Sequence, residues 1–219
     1  MSEVEMRKLL EKRNIKSVVH FTTNSGSLGT FASKALKSRY LLNSDEQLQH
    51  IFTPNSLYRD RDIAWLNYVN LSISQINTNF FQVAENNWHR EKKFFWCILD
   101  FSPEILTHNG VLFSTTNNIY SDVLRSEGHL GLEATFAPFI SHWDSKTSSS
   151  VTRPDSYPAH LPTCRQAEVL YPQEVSTDYL QKIYVRSESE IDELMGQMAI
   201  TSHPSIPIQV APELFAGIK

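Results

Sequence analysis

Hydrophobic and polar positions along the chain follow two periods, one near 3.6 residues and one of two. Val4, Met6, Leu9 and Leu10 form a partial apolar face, and Ser2 and Glu5 stand at capping-box spacing. This predicts an N-terminal helix ending near Asn14. Residues 15–22 alternate and carry β-branched valines, which predicts a strand ending in His20-Phe21-Thr22. Asn24, Ser25 and Gly26 mark a turn. Leu28, Phe31, Ala32, Ala35 and Leu36 then recur at helical steps, a second helix. Val69, Leu71 and Ile73 alternate with Asn70, Ser72 and Ser74, the pattern of a half-buried strand. The unbroken apolar run 94–99 predicts a strand covered on both faces.

Further strands are expected at 111–114, 165–171, 181–185 and 208–210. Ile191, Leu194, Met195 and Met198, after a capping-box pair Ser187 and Glu190, predict a late helix. Segments 117–125 and 129–140 have weaker helical character, and 43–66 is expected to be loop with short helical turns. From 141 to 163 prolines, serines and threonines replace apolar periodicity. A connector of that length is usually functional or mobile. No repeat or linker divides the chain. The expectation is α+β: a single domain over 1–219 with a mixed or antiparallel central sheet flanked by helices.

Composition narrows the class. The chain has 219 residues, a net charge of -4, 41% hydrophobic and 20% charged residues, the signature of a folded domain and not of a polycationic nucleic-acid packager. No apolar run nears the ~18 residues that cross a bilayer. Two cysteines, Cys97 and Cys164, cannot form a disulfide framework. With no apolar leader at the N-terminus, the expected location is cytoplasmic. There is no P-loop, no glycine-rich dinucleotide fingerprint, no nucleophile elbow and no zinc signature in the sequence. The eight histidines are scattered, so no metal is expected.

Three short features remain. His20-Phe21-Thr22 ends a strand before a small-residue turn. Arg59-Asp60-Arg61-Asp62 precedes the strand around Leu71. Gln166-Ala167-Glu168-Val169-Leu170 follows the long polar segment. Singly, each reads as ordinary: a packed histidine, a solvated turn, a water-facing glutamate.

Together, and with Phe95-Trp96-Cys97-Ile98-Leu99-Asp100 and Val111-Leu112-Phe113-Ser114-Thr115-Thr116-Asn117, they resemble the DarT-like ADP-ribosyltransferases, bacterial toxins that transfer ADP-ribose from NAD to a nucleic-acid base. The resemblance implies an ADP-ribosyltransferase-like fold, NAD as co-substrate and Glu168 as the catalytic carboxylate. Such a group stabilises oxocarbenium character on the ribose as the nicotinamide bond breaks, and takes a proton from the attacking base. It implies Arg61 for the pyrophosphate, since an arginine fork suits that geometry; spacing to Leu71 favours Arg61 over Arg59. His20, Thr22 and Ser27, at the start of the second helix, are the other expected NAD contacts. Segment 141–167 becomes the acceptor loop, with Trp143, Lys146, Arg153 and Tyr157 as stacking and cationic groups for an unpaired base. The expected acceptor is single-stranded DNA, with guanine the favoured base and RNA the alternative. An antitoxin protein is the expected partner. A non-catalytic NAD-binding module is the reading from another class.

Overall fold

The computed structural model of the chain describes residues 2–45, 60–88, 94–120, 123–144 and 147–216. Helix α1 (Ser2–Arg13) ends where the sequence places its stop. Asn14 takes φ 53, and Asn14 and Ile15 return their N–H groups to Glu11 and Leu10, a left-handed cap that asparagine tolerates. Strand β1 (Val18–Thr23) runs straight into α2 (Asn24–Ser33), whose N-cap Thr23 accepts from the Gly26 N–H at 3.2 Å. Then come β2 (Ala35–Lys37), α3 (Arg39–Ser44), a 3-10 turn (Asp60–Trp65), β3 (Tyr68–Ile73) and α4 (Thr78–Val83). The middle of the chain gives β4 (Trp96–Phe101), β5 (Leu112–Ser114), β6 (Arg125–Glu127), α5 (Gly128–Ala134), β7 (Phe139–Asp144) and β8 (Thr147–Thr152). The last part gives β9 (Glu168–Pro172), β10 (Glu174–Ser176), β11 (Leu180–Val185), α6 (Ile191–Ile200), β12 (Ile208–Val210) and α7 (Glu213–Ala216).

Eight strands make one mixed sheet in the order β12-β11-β4-β1-β3-β9-β5-β6. Its pairs are antiparallel except β11 with β12. The expected α+β domain with a mixed central sheet is what forms. β4 is buried at all six positions and β3 alternates strictly, as their apolar patterns require. One face carries Val18, Leu71, Leu99, Val169 and Ile183 and packs under Leu9 and Met6 of α1, Phe31 of α2, Leu132 of α5 and Leu194 of α6. The other face has a smaller cover. There Val19, Phe21, Trp96 and Ile98 meet Phe81 of α4 and Phe215 of α7. Phe21, Phe81 and Trp96 contact one another edge-on at 5.2–5.7 Å, pairs that each add about 0.5–1.5 kcal/mol beyond area burial. Arg186 binds Glu85 and lies over the Phe81 and Phe215 rings at 5.2 and 4.8 Å.

Several expectations are corrected. The second helix stops at Ser33, because Lys34 turns left-handed at φ 55. Ala35 and Leu36 then pair with β10 instead of continuing the helical face. Of the expected helical segment 117–125, residues 118–120 form a turn and Arg125 begins β6, while 121–122 lie outside the described residues; of the expected 129–140 helix only 129–134 forms, within α5. The polar segment is half structured: β7 and β8 are a hairpin with six paired positions, Phe139 opposite Thr152 through Asp144 opposite Thr147. The strand expected from 165 starts at Glu168, after a turn closed by Ala167 N–H on the Cys164 carbonyl. The 3-10 turn falls within the expected loop 43–66, whose residues 46–59 lie outside the described residues.

Candidate active site

Strand β3 belongs to two leaves of the sheet. Its C-terminal end pairs with β1, Val18 opposite Ile73 and Val19 opposite Ser72. Its N-terminal part pairs with β9, from Tyr68 opposite Pro172 to Leu71 opposite Val169. Beyond Val19 the β1–β3 ladder ends. There His20 Nδ1 lies 2.9 Å from the Asn70 carbonyl oxygen. A carbonyl only accepts, so Nδ1 carries the proton and a neutral ring offers Nε2 as an acceptor. A side chain thus takes the place of a missing rung where the two leaves part.

Glu168 opens β9 at the same level. Its Oε2 accepts from the Asn118 backbone N–H at 3.1 Å and from Asn70 Nδ2 at 3.2 Å. Asn70 stands opposite Leu170, so it is the diagonal neighbour of Glu168 on one sheet face and within reach of it. His20 therefore bonds the backbone of the residue whose side chain bonds Glu168, a line that runs from β1 through β3 to β9. Two donors on one carboxylate oxygen fix its orientation.

Behind Glu168 stands Arg125, at the start of β6. Its Nε donates to Asn118 Oδ1 and its Nη2 to the Asn118 carbonyl, and its guanidinium lies 5.1 Å from the Trp65 ring centre. Burial holds the Arg125 pKa below its usual range, against the opposing attraction of Glu168. Asn118 is 1% exposed, and its Nδ2 is buried with no partner. The Arg125 bond to Oδ1 fixes which way that amide points. A buried donor left unmatched costs about 1–3 kcal/mol.

The expected residues divide. His20 and Glu168 come together as described. Arg61 lies in the 3-10 turn that ends at Trp65, on the Arg125 side of the site; its side chain is outside what the structure describes, and Arg59 lies wholly outside. Thr22 follows His20 on the same side of β1 and is 7% exposed against Gly26. Ser27 is corrected: α2 begins at Asn24, and the fully buried Ser27 hydroxyl donates to the Asn24 carbonyl and Gln197 Oε1, both at 2.8 Å. Its side chain ties α2 to α6 instead of facing a ligand. Arg153 also has another task. Its guanidinium donates to the Leu161 and Pro158 carbonyls at 2.7 Å and lies over the Phe136 and Tyr157 rings at 5.6 and 5.1 Å. It braces the segment from Arg153 to Thr163 from within, because a planar fork can bond several carbonyls at once. Tyr157 serves as one face of that brace. Trp143 sits in β7 with its side chain outside the description, and Lys146 lies outside the described residues. Sequence reasoning missed Asn118 and Arg125 as site residues. The one trace was the polar run following β5. Among the described residues, no group of three or more His, Cys, Asp or Glu is placed to hold a metal.

This fold, a two-leaved mixed sheet with a carboxylate held where the leaves part, has counterparts among solved structures. It is similar to DarT of Thermus sp. 2.9 solved with ADP-ribosylated ssDNA (TM-score 0.65, 13% identity, 92% of this chain and 97% of that chain). The same protein solved with NAD+ matches at TM-score 0.63 and 12% identity, over 91% and 97% of the two chains. DarTG of Thermosipho africanus, solved with ADP-ribose, matches at TM-score 0.55 and 12% identity, over 91% of this chain and 51% of that one. No curated protein matches in sequence. The model of a family described as "ssDNA thymidine ADP-ribosyltransferase, DarT" covers residues 14–216. The chain belongs to the DarT family.

Proposed function

We propose that this chain takes ADP-ribose from NAD and attaches it to a base of single-stranded DNA. The observation that carries the reading is the doubly held Glu168 at the parting of the leaves, in line with His20 and Asn70. NAD enters as co-substrate, with its nicotinamide ribose against Glu168. As the glycosidic bond lengthens, positive charge grows on that ribose and the carboxylate stabilises it. A base nitrogen then bonds to the anomeric carbon, nicotinamide departs with the bonding pair, and Glu168 accepts the proton of the attacking nitrogen. His20 and Thr22 contribute NAD contacts from β1, and Arg61 binds the pyrophosphate. The base must be unpaired, since within a duplex its nitrogen could not reach a ribose in this cleft.

We read the base as guanine. Thymidine is the second reading, favoured by the description of the family, and at 12–13% identity to the solved proteins the acceptor segment need not follow them. RNA is the alternative strand. An enzyme that marks nucleic acid in its own cell calls for a neutralising antitoxin, which is the partner we propose. Among the described residues no helix is long and apolar enough to cross a membrane.

Labelled NAD with single-stranded DNA and RNA oligonucleotides of each base tests this. Label is expected on DNA, on guanine-containing strands first, and Glu168→Gln should reduce transfer at least ~10²-fold with an unchanged thermal transition. Label on protein alone would overturn the reading, and near-normal transfer by the variant would remove Glu168 from the chemistry.

A further inference from the structure

Beside the catalytic cleft, on the same face of the sheet, is a second cavity of about 260 Å3. Register places it. Val19 stands opposite Asp100 on β4 and opposite Ser72 on β3. Extending the β3–β9 register by one residue past Leu71 and Val169 brings Ser72 opposite Glu168. Asp100, Val19, Ser72 and Glu168 thus form one transverse row with side chains on one face. Asp100 is three strand spacings from Glu168, about 14 Å. The cavity lies at the Asp100 end of that row, floored by Val19 and Ile98 and walled by Ile76 and Leu214.

Its polar groups are organised. Ser17 Oγ donates to Asp100 Oδ1 at 2.5 Å and Tyr184 Oη donates to Oδ2 at 3.1 Å. Both residues line the cavity, and both hydroxyls direct their protons at the Asp100 carboxylate. What they turn toward a ligand is therefore lone pairs, so the floor accepts and does not donate. On the rim Ser74 has φ 62, with the Gln75 N–H on the Ile73 carbonyl at 2.7 Å. This is a three-residue turn that non-glycine residues seldom adopt, and strain of this kind concentrates at binding sites. The Ser74 hydroxyl is buried with no partner.

A narrow gap of about 20 Å3 shares Gln75 and Ile76 with this cavity and is lined further on by Cys164, Arg165 and Ala167. Ala167 adjoins Glu168 in sequence. The cavity, the gap and the catalytic carboxylate therefore follow one another across the face. Lys16 lines the cavity and Arg165 the gap. Among the described residues neither forms an ion pair or side-chain hydrogen bond. Two available cations along such a track suit successive phosphates.

We propose that this cavity holds a nucleobase of the same single strand, one or two nucleotides from the base that is modified, and selects a base with an exocyclic amine. The proposal rests on the DNA-transfer reading above. A single ring system fits a site below the ~300 Å3 at which pockets for larger ligands begin. The apolar floor takes the ring face. Ser17 Oγ and Tyr184 Oη accept from the amine, which adenine, cytosine and guanine carry and thymine lacks.

The test is a set of single-stranded oligonucleotides with one acceptor base and each neighbouring position varied in turn. At one position the wild type should modify cytosine- or adenine-bearing strands roughly ten-fold faster than the thymine strand, the discrimination of one good base contact. In Ser17→Ala with Tyr184→Phe that ratio should fall to within about two-fold. Lys16→Ala, an exposed change that leaves packing intact, should weaken binding of every strand alike. A wild type indifferent to all neighbouring bases, or a double variant that keeps the full ratio, overturns the pocket while leaving the transfer reading in place. If no strand is modified, the transfer reading fails, and binding decides the pocket. An abasic nucleotide at one position must then weaken wild-type binding about ten-fold, the size of one base contact, and leave the double variant unaffected. Equal effects on both proteins overturn it.

Discussion

Asn118 is held through three of its groups. Its N–H is on Glu168, and its Oδ1 and its carbonyl are on Arg125. In the proposed reaction Arg125 acts through Asn118, as a positioning residue. Arg125→Lys keeps the charge but loses the planar two-point fork. The expected result is a kcat lower by about 10–100-fold, from a misplaced carboxylate, with the KM for NAD changed by less than about three-fold. A lysine that restores kcat would show that charge alone matters. A second carboxyl, Asp100, behaves differently. Burial pushes its pKa up, against the lowering effect of the Ser17 and Tyr184 hydrogen bonds, and the Tyr184 phenol is pushed up to about 12, by burial first and by Asp100 next. A carboxyl with a raised folded pKa contributes stability that is complete below its unfolded pKa, about 4, and is lost as pH rises through the folded value. The stability of wild type relative to Asp100→Asn should therefore be greatest at acid pH and decline as pH rises. Denaturant titrations across that range check it, and a constant difference would mean that Asp100 does not titrate with a raised pKa.

At the scale of elements, the joint between β1 and α2 fixes where Thr22 and Thr23 stand. A Cβ on Gly26 would sit 2.1 Å from Thr22 Oγ1, so glycine is required for the helix to start directly from the strand. Gly26→Ala should destabilise the protein by about 1–3 kcal/mol, read by chemical denaturation. In a Thr22→Ala background, which removes the offending oxygen, the same change should cost less than about 1 kcal/mol. An undiminished cost there would place the clash elsewhere. The helix expected from Leu28 to Leu36 shows why periodicity alone misplaces ends. Ala35 and Leu36 fit the apolar stripe, yet Lys34 turns left-handed and its carbonyl accepts from Thr177 N–H at 3.0 Å. A partner about 140 residues away decides the boundary. The β7–β8 hairpin was hidden for a related reason. Ser148, Ser149 and Ser150 show no alternation, and they pair with Trp143, His142 and Ser141.

For the whole molecule, the decisive feature is that β3 serves two leaves. Its pattern of Val69, Leu71 and Ile73 against Asn70, Ser72 and Ser74 announces a half-buried strand, and β3 alternates as that pattern says. Nothing local tells that β1 leaves it after Val19, or that β9 joins it at the other end. The parting of these strands brings together residues 20, 70, 118, 125 and 168. The same sheet carries the Asp100 row, and its lighter cover by α4 and α7 leaves room for the second cavity. The sequence by itself determined the strands with clear periods and the mixed α+β class, because each of these follows from apolar spacing within a few residues; the positions of His20 inside β1 and of Glu168 at the start of β9 came from the fold. Only the tertiary structure decided the roles of Asn118, Arg125, Arg153 and Ser27. A polar side chain has no period to betray its partner, and its task depends on which distant carbonyl, carboxylate or ring the folded sheet brings within 3 Å.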